Sequence, residues 1–131
     1  EYLGSQKPVA QANTVLASLI ATFVEPDEIT SFPNQLLLSK EVDPKGPLNV
    51  GDTVTITLKY HNSTRQTVKD LVVSDSLSGR LEYVPGSASS DRPANVTTSE
   101  NEAGSVVVRF EVPVAIPPNQ GGVVKFRATV R

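Results

Sequence analysis

Gly51 to Asn62 reads GDTVTITLKYHN, and its parity decides the fold. Val54, Ile56, Leu58 and Tyr60 alternate with Thr53, Thr55, Thr57 and Lys59, the period-two signature of a strand with one buried face. Ser105 to Val112 repeats the device, with Val106, Val108, Phe110 and Val112 opposite Val107, Arg109 and Glu111. Val123 to Arg131 does so again, with Val124, Phe126, Ala128 and Val130 opposite Lys125, Arg127, Thr129 and Arg131. A strand cannot bury its apolar face alone, so these three share a core. Shorter strands are expected at Leu36 to Val42, ending at Asp43-Pro44, at Val68 to Ser74, and at Leu81 to Val84, which Pro85-Gly86 stops. Pro44-Lys45-Gly46-Pro47, Ser78-Gly79 and Pro117 to Gly122 supply turn chemistry between them. The pattern suits an all-β Greek-key sandwich or barrel of about seven strands over residues 36–131. Ser87 to Gly104, with Asp91, Glu100 and Glu102, reads as a long mobile loop or a short edge hairpin around Val96.

Residues 1–35 form an arm with two readings. Ala12, Val15, Leu16, Leu19, Ile20, Phe23 and Val24 share one helical face, with Asn13 as N-cap and Pro26 as stop. With period two, Val15, Ala17, Leu19, Ala21 and Phe23 form a strand face instead. Five of the eleven residues from Thr14 to Val24 are β-branched, which each cost a few tenths of a kcal/mol in a helix. Leu19 to Val24 also resembles Phe126 to Arg131, with Ala-Thr shared at an offset of 107 residues. The strand is favoured over a packed helix, and the arm could be the last strand of a preceding repeat.

Composition narrows the chemistry. The 131 residues include 19 Val, 4 Ile and 11 Thr but no Cys, Met or Trp, and a single His. Thiol chemistry, thiolate metal sites and histidine-cluster metal enzymes are excluded. A net charge of −2 provides no field for nucleic acid or anionic lipid. No apolar run reaches the roughly 18–20 residues of a membrane span, and no signal peptide is visible. The absence of an initiator Met suggests a processed or excised piece of a longer polypeptide.

Several blocks carry a family resemblance. Leu38-Ser39-Lys40-Glu41-Val42-Asp43-Pro44, then Asn49 to Leu58 (NVGDTVTITL), then Tyr60-His61-Asn62-Ser63 are followed by Val68 to Leu77 (VKDLVVSDSL), Leu81 to Ser87 (LEYVPGS) and Ile116 to Val130. In this order they resemble the repeat of bacterial surface proteins known as domain of unknown function eleven. The chain departs from that pattern at Ser63 to Gln66, where the family has a glycine, and at Ser78, where it has a proline. The resemblance implies an immunoglobulin-like β-sandwich, often in tandem with neighbouring repeats, in secreted or envelope-attached bacterial proteins. It implies spacer or adhesive stalk duty and supplies no catalytic residues.

Individual residues fit that reading. Gly51-Asp52 suits a turn, with the Asp bonding nearby amides, and Asp75 suits a strand end that ties down the next loop. Glu25, Asp27 and Glu28 could join Asp43 around Ca²⁺, against the simpler reading of a solvated turn. Lys40 raises the isopeptide linkage of pilus-type sandwiches, which needs a buried amine beside a carboxamide and an acid; the final strand offers no Asn. His61 falls on the outward parity with no nucleophile motif near it. Asn62-Ser63-Thr64 and Asn95-Val96-Thr97 match the glycosylation triplet, common by chance. Lys125, Arg127 and Arg131 keep an outer face soluble. No catalytic, cofactor or metal residue is nominated. The expected function is a non-enzymatic structural or spacer module of a bacterial cell-surface or secreted protein. The alternatives are an adhesive module for protein or carbohydrate, for which only seven aromatic residues speak, and a strand-exchanging assembly subunit.

Overall fold

The computed structural model describes residues 6–100 and 104–131. Glu102 of the acidic segment lies outside the described residues. Eleven strands are present among those described: β1 Val9–Asn13, β2 Ser18–Ile20, β3 Thr22–Phe23, β4 Leu36–Asp43, β5 Thr53–Asn62, β6 Lys69–Ser76, β7 Leu81–Tyr83, β8 Ser89–Ser90, β9 Asn95–Glu100, β10 Val106–Val112 and β11 Gln120–Val130. They make two sheets packed face to face. One runs β2-β1-β6-β10-β9, the other β3-β4-β5-β11-β7, with β8 also on β11. The all-β sandwich expected from the sequence is the observed fold. Among the described residues no helix is long and apolar enough to cross a membrane.

The strand parities build this core directly. Val54, Ile56, Leu58 and Tyr60 of β5, Val124, Phe126, Ala128 and Val130 of β11, and Val108, Phe110 and Val112 of β10 are all buried. Fully burying a large apolar side chain is worth about 1.5–3 kcal/mol, so the inward faces dominate the stability. Phe110 and Phe126 meet across the two layers with ring centroids 6.1 Å apart. The connectivity interlocks. β5 leads into β6 of the other sheet and β10 into β11, yet β5 pairs with β11 and β6 with β10. Each sheet's central pair therefore joins strands far apart in the sequence.

The arm belongs to this same sandwich. β1 lies between β2 and β6 and buries Ala10 and Ala12. The strand reading holds for Ser18–Ile20 and Thr22–Phe23. The helix is prevented by a turn at Thr14, whose Oγ1 accepts from the amides of Leu16 (3.2 Å) and Ala17 (2.9 Å) while its own amide donates to the Ala17 carbonyl (2.7 Å). That turn leaves Val15 and Leu16 77% and 79% exposed.

The Greek-key turn expected up to Gly122 ends earlier, because β11 begins at Gln120. Gly121 and Gly122 sit inside the strand for a steric reason. A Cβ on Gly121 would overlap the Tyr60 carbonyl oxygen, and one on Gly122 would overlap the Tyr60 hydroxyl. Tyr60 therefore fills the space that two side chains would have taken. Gly122→Val is expected to lower stability by about 1–3 kcal/mol or more through overpacking, read as a fall in the urea midpoint. Gly79→Ala, which meets nothing within 4 Å, should leave the stability within about 0.5 kcal/mol of the parent.

Candidate functional site

The apolar inward parity is broken where β4 and β6 face each other. Leu36, Leu38, Lys40 and Val42 of β4 share a face, as do Leu71, Val73 and Asp75 of β6, so Lys40 and Asp75 both point between the sheets. The Lys40 Nζ lies 3.1 Å from Asp75 Oδ1 and donates to it, stands 3.0 Å from Oδ2, and donates to the Gln6 carbonyl at 2.8 Å. The two side chains are 5% and 0% exposed. Burial pushes the Asp75 carboxyl up from 3.8 to about 6, against the opposing pull of the Lys40 ammonium and its hydrogen bond. Asp75 thus lies at the end of its strand, as expected, but forms an ion pair across the layers instead of tying down the next loop. The parity that places Leu71 and Val73 inward was the available signal for it.

The covalent alternative at Lys40 finds no Asn on the final strand, and the one carboxamide there, Gln120, is exposed at its start and accepts from Arg92 at 3.3 Å. The inward residues of β11 are Gly122, Val124, Phe126, Ala128 and Val130. The Lys40 Nζ is instead engaged by the Asp75 carboxylate and the Gln6 carbonyl.

A second buried polar group lies where β5 ends. Asn62, 0% exposed, donates through Nδ2 to the carbonyls of Gln66 (2.8 Å) and Ile116 (2.9 Å), and its Oδ1 accepts from the amide (2.9 Å) and hydroxyl (2.6 Å) of Thr64. One side chain thereby shapes the Ser63 to Gln66 loop and ties it to the approach to β11. The first glycosylation triplet is accordingly a structural asparagine with both Nδ2 protons engaged, whereas Asn95 of the second is exposed on β9.

The outer face of the second sheet carries a groove of about 550 Å³ lined by Glu41, Thr57, Lys59, Lys125 and the Ser89–Asp91 segment. Lys59 faces Glu41 at 3.8 Å, and Asp91 Oδ1 accepts from the Val123 amide at 3.0 Å. The groove is open and its charges alternate in sign. His61 lies in the ladder between Leu37 and Gly121, half-buried, with its pKa lowered by that burial. Behind the same rim, burial and the Asp91 charge raise the Tyr60 hydroxyl to about 12 despite Arg92. A tyrosine that holds its proton so firmly is a poor acid at neutral pH.

The remaining candidates are turn residues. Asp52 Oδ2 accepts from the Asn49 amide at 2.8 Å beside Gly51 at φ 94°, the role expected of it. Glu28 Oε1 accepts from the Glu25 amide at 3.1 Å, closing the acidic turn on itself. Among the described residues no three His, Cys, Asp or Glu side chains gather as a metal site, so Asp43 does not join that turn around an ion. Comparison with protein-family models, curated proteins and solved structures returns no match.

The buried pair has a thermodynamic signature. Replacing Lys40 by Met or Asp75 by Leu strands the other charge and should cost about 3–5 kcal/mol, while the double replacement recovers most of the loss. Equilibrium urea unfolding of the four proteins checks this; additive losses would contradict it. The folded Asp75 pKa lies above its unfolded value, so its favourable contribution is complete below about 3.8 and disappears as pH rises through about 6. The parent should lose about 2–3 kcal/mol of relative stability across that window, a trend absent from Asp75→Asn.

Proposed function

We propose that this chain is a non-enzymatic structural module of a multidomain bacterial surface or secreted protein. The buried Lys40–Asp75 pair carries the reading. Its two groups are sealed in the core, where their contacts join the two sheets and the arm, and the other buried polar cluster, at Asn62, shapes a loop. The ordered blocks from Leu38 to Val130 that resemble the surface-protein repeat support the same reading and its extracellular or envelope setting.

The strand directions refine what kind of module it is. β1 begins beside Ser74, close to the end of β6, and β11 ends with Val130 beside Leu81. The first and last strands therefore open toward one pole. The other pole carries the Thr14–Ala17 turn, the Ser63–Gln66 loop and Pro117–Asn119. A unit connected in this way stands off its attachment as a pendant domain, with the far pole held outward. The exposed Val15 and Leu16 at that pole favour a second reading, an adhesive module whose partner is a protein with an apolar recess.

Pulling both chain ends from one pole peels β1 and β11 from their tips, breaking hydrogen bonds one after another. Force spectroscopy of the chain between marker domains should show one cooperative unfolding event at low force, and a glycan array should show no binding. A high-force rupture would contradict the pendant geometry. Binding that is abolished by Val15→Ser/Leu16→Ser would favour the adhesive reading.

A further inference from the structure

The sheet edges are unequal. β2, β3, β7 and β8 are three, two, three and two residues long, and short strands offer too few backbone groups to template pairing. β9 is six residues long, Asn-Val-Thr-Thr-Ser-Glu, and all six are exposed. It pairs with β10 on one side and ends its sheet on the other. The strand carries neither Lys nor Pro, the usual guards of a free edge, and three of its residues are β-branched.

Among the described residues, β9 also lacks cover on its inward side. Val96 and Thr98 stand in register with the buried Phe110 and Val108, so their side chains take the inward parity yet remain in solvent. The corresponding end of the other sheet holds only β7 and β8, which are too short to roof this strand. The first sheet thus overhangs the sandwich by one full strand.

We propose that β9 is a homotypic docking edge, to which a second copy of this chain adds its own β9 antiparallel, joining two five-stranded sheets into one. A two-fold axis through the edge requires a residue to face its own copy, and the strand allows this at its centre in two ways. With Thr97 on the axis, Val96 faces Thr98 and Asn95 faces Ser99. With Thr98 on the axis, Thr97 faces Ser99 and Val96 faces Glu100. Each places a Thr–Thr pair at the centre, a favourable cross-strand pair, and neither brings like charges together. The inward faces of the two overhangs then continue on one side of the joined sheet, where each Val96 gains neighbours.

The absence of Cys from the whole chain makes the test clean. Light scattering should show the mass of the unmodified chain rising from one copy toward two as concentration approaches the millimolar range. Thr97→Lys/Thr98→Lys, which sets like charges across the axis, should remain at one copy with unchanged circular dichroism. Single replacements Thr97→Cys and Thr98→Cys report the register, and one of them should oxidise to a linked dimer at least tenfold faster than Val50→Cys, an exposed position remote from β9. A mass of one copy at every concentration overturns the proposal. So does a dimer that survives the double lysine variant, or equal oxidation at all three positions.

Discussion

The contact between Lys40 and Asp75 is the constraint on which the other parts depend, because three segments meet there. Lys40 comes from one sheet, Asp75 from the other, and the Gln6 carbonyl from the chain leading into β1. Desolvating two charges is costly, and their mutual attraction offsets the cost only where geometry is close and remaining donors are met. A slip of β4 by one residue would turn Lys40 to the outer face and leave Asp75 unpaired in the core. Apolar neighbours such as Leu38 and Val42 would tolerate a new partner of similar size; a buried charge tolerates none. The pair therefore reinforces the register that burial of Leu36, Leu38 and Val42 already favours.

The rest of the interior is arranged around that choice. Phe110 and Phe126 close the middle of the sandwich, and Asn62 fixes the pole at which β5 turns toward β6. The Tyr60 side chain lies over Gly122 and its carbonyl against Gly121, so the two glycines near the start of β11 are still packed. These polar and apolar contacts leave the interior occupied by structure. On the outer surface the features that stand out are an apolar turn tip, an open groove of mixed charge and one long strand at a sheet edge.

Much of this was legible in the sequence. Alternation in Gly51–Asn62, Ser105–Val112 and Val123–Arg131 identified the central strands and their buried faces, because a solvated outer face forces polar residues into every second position. The arm was harder. Thr14 to Val24 satisfies helical spacing, and what decides against a helix is a hydroxyl that caps a turn, a contact of a few ångströms that periodicity does not register. Gly121-Gly122 read as a turn because glycine is common there, whereas its cause is Tyr60, distant in sequence and adjacent in space. Lys40 and Asp75 both sat on inward parities, but parity states only that a side chain enters the core; which partner it finds depends on how two sheets stack.

The most direct test of the buried charge pair is nuclear magnetic resonance of the Lys40 side chain in the folded protein at neutral pH. A sealed ammonium bonded to Asp75 and the Gln6 carbonyl should give ammonium protons that exchange slowly with water, with a nitrogen shift that moves as the Asp75 carboxyl titrates near pH 6. A Lys40 signal in fast exchange with solvent, indifferent to Asp75, would contradict it.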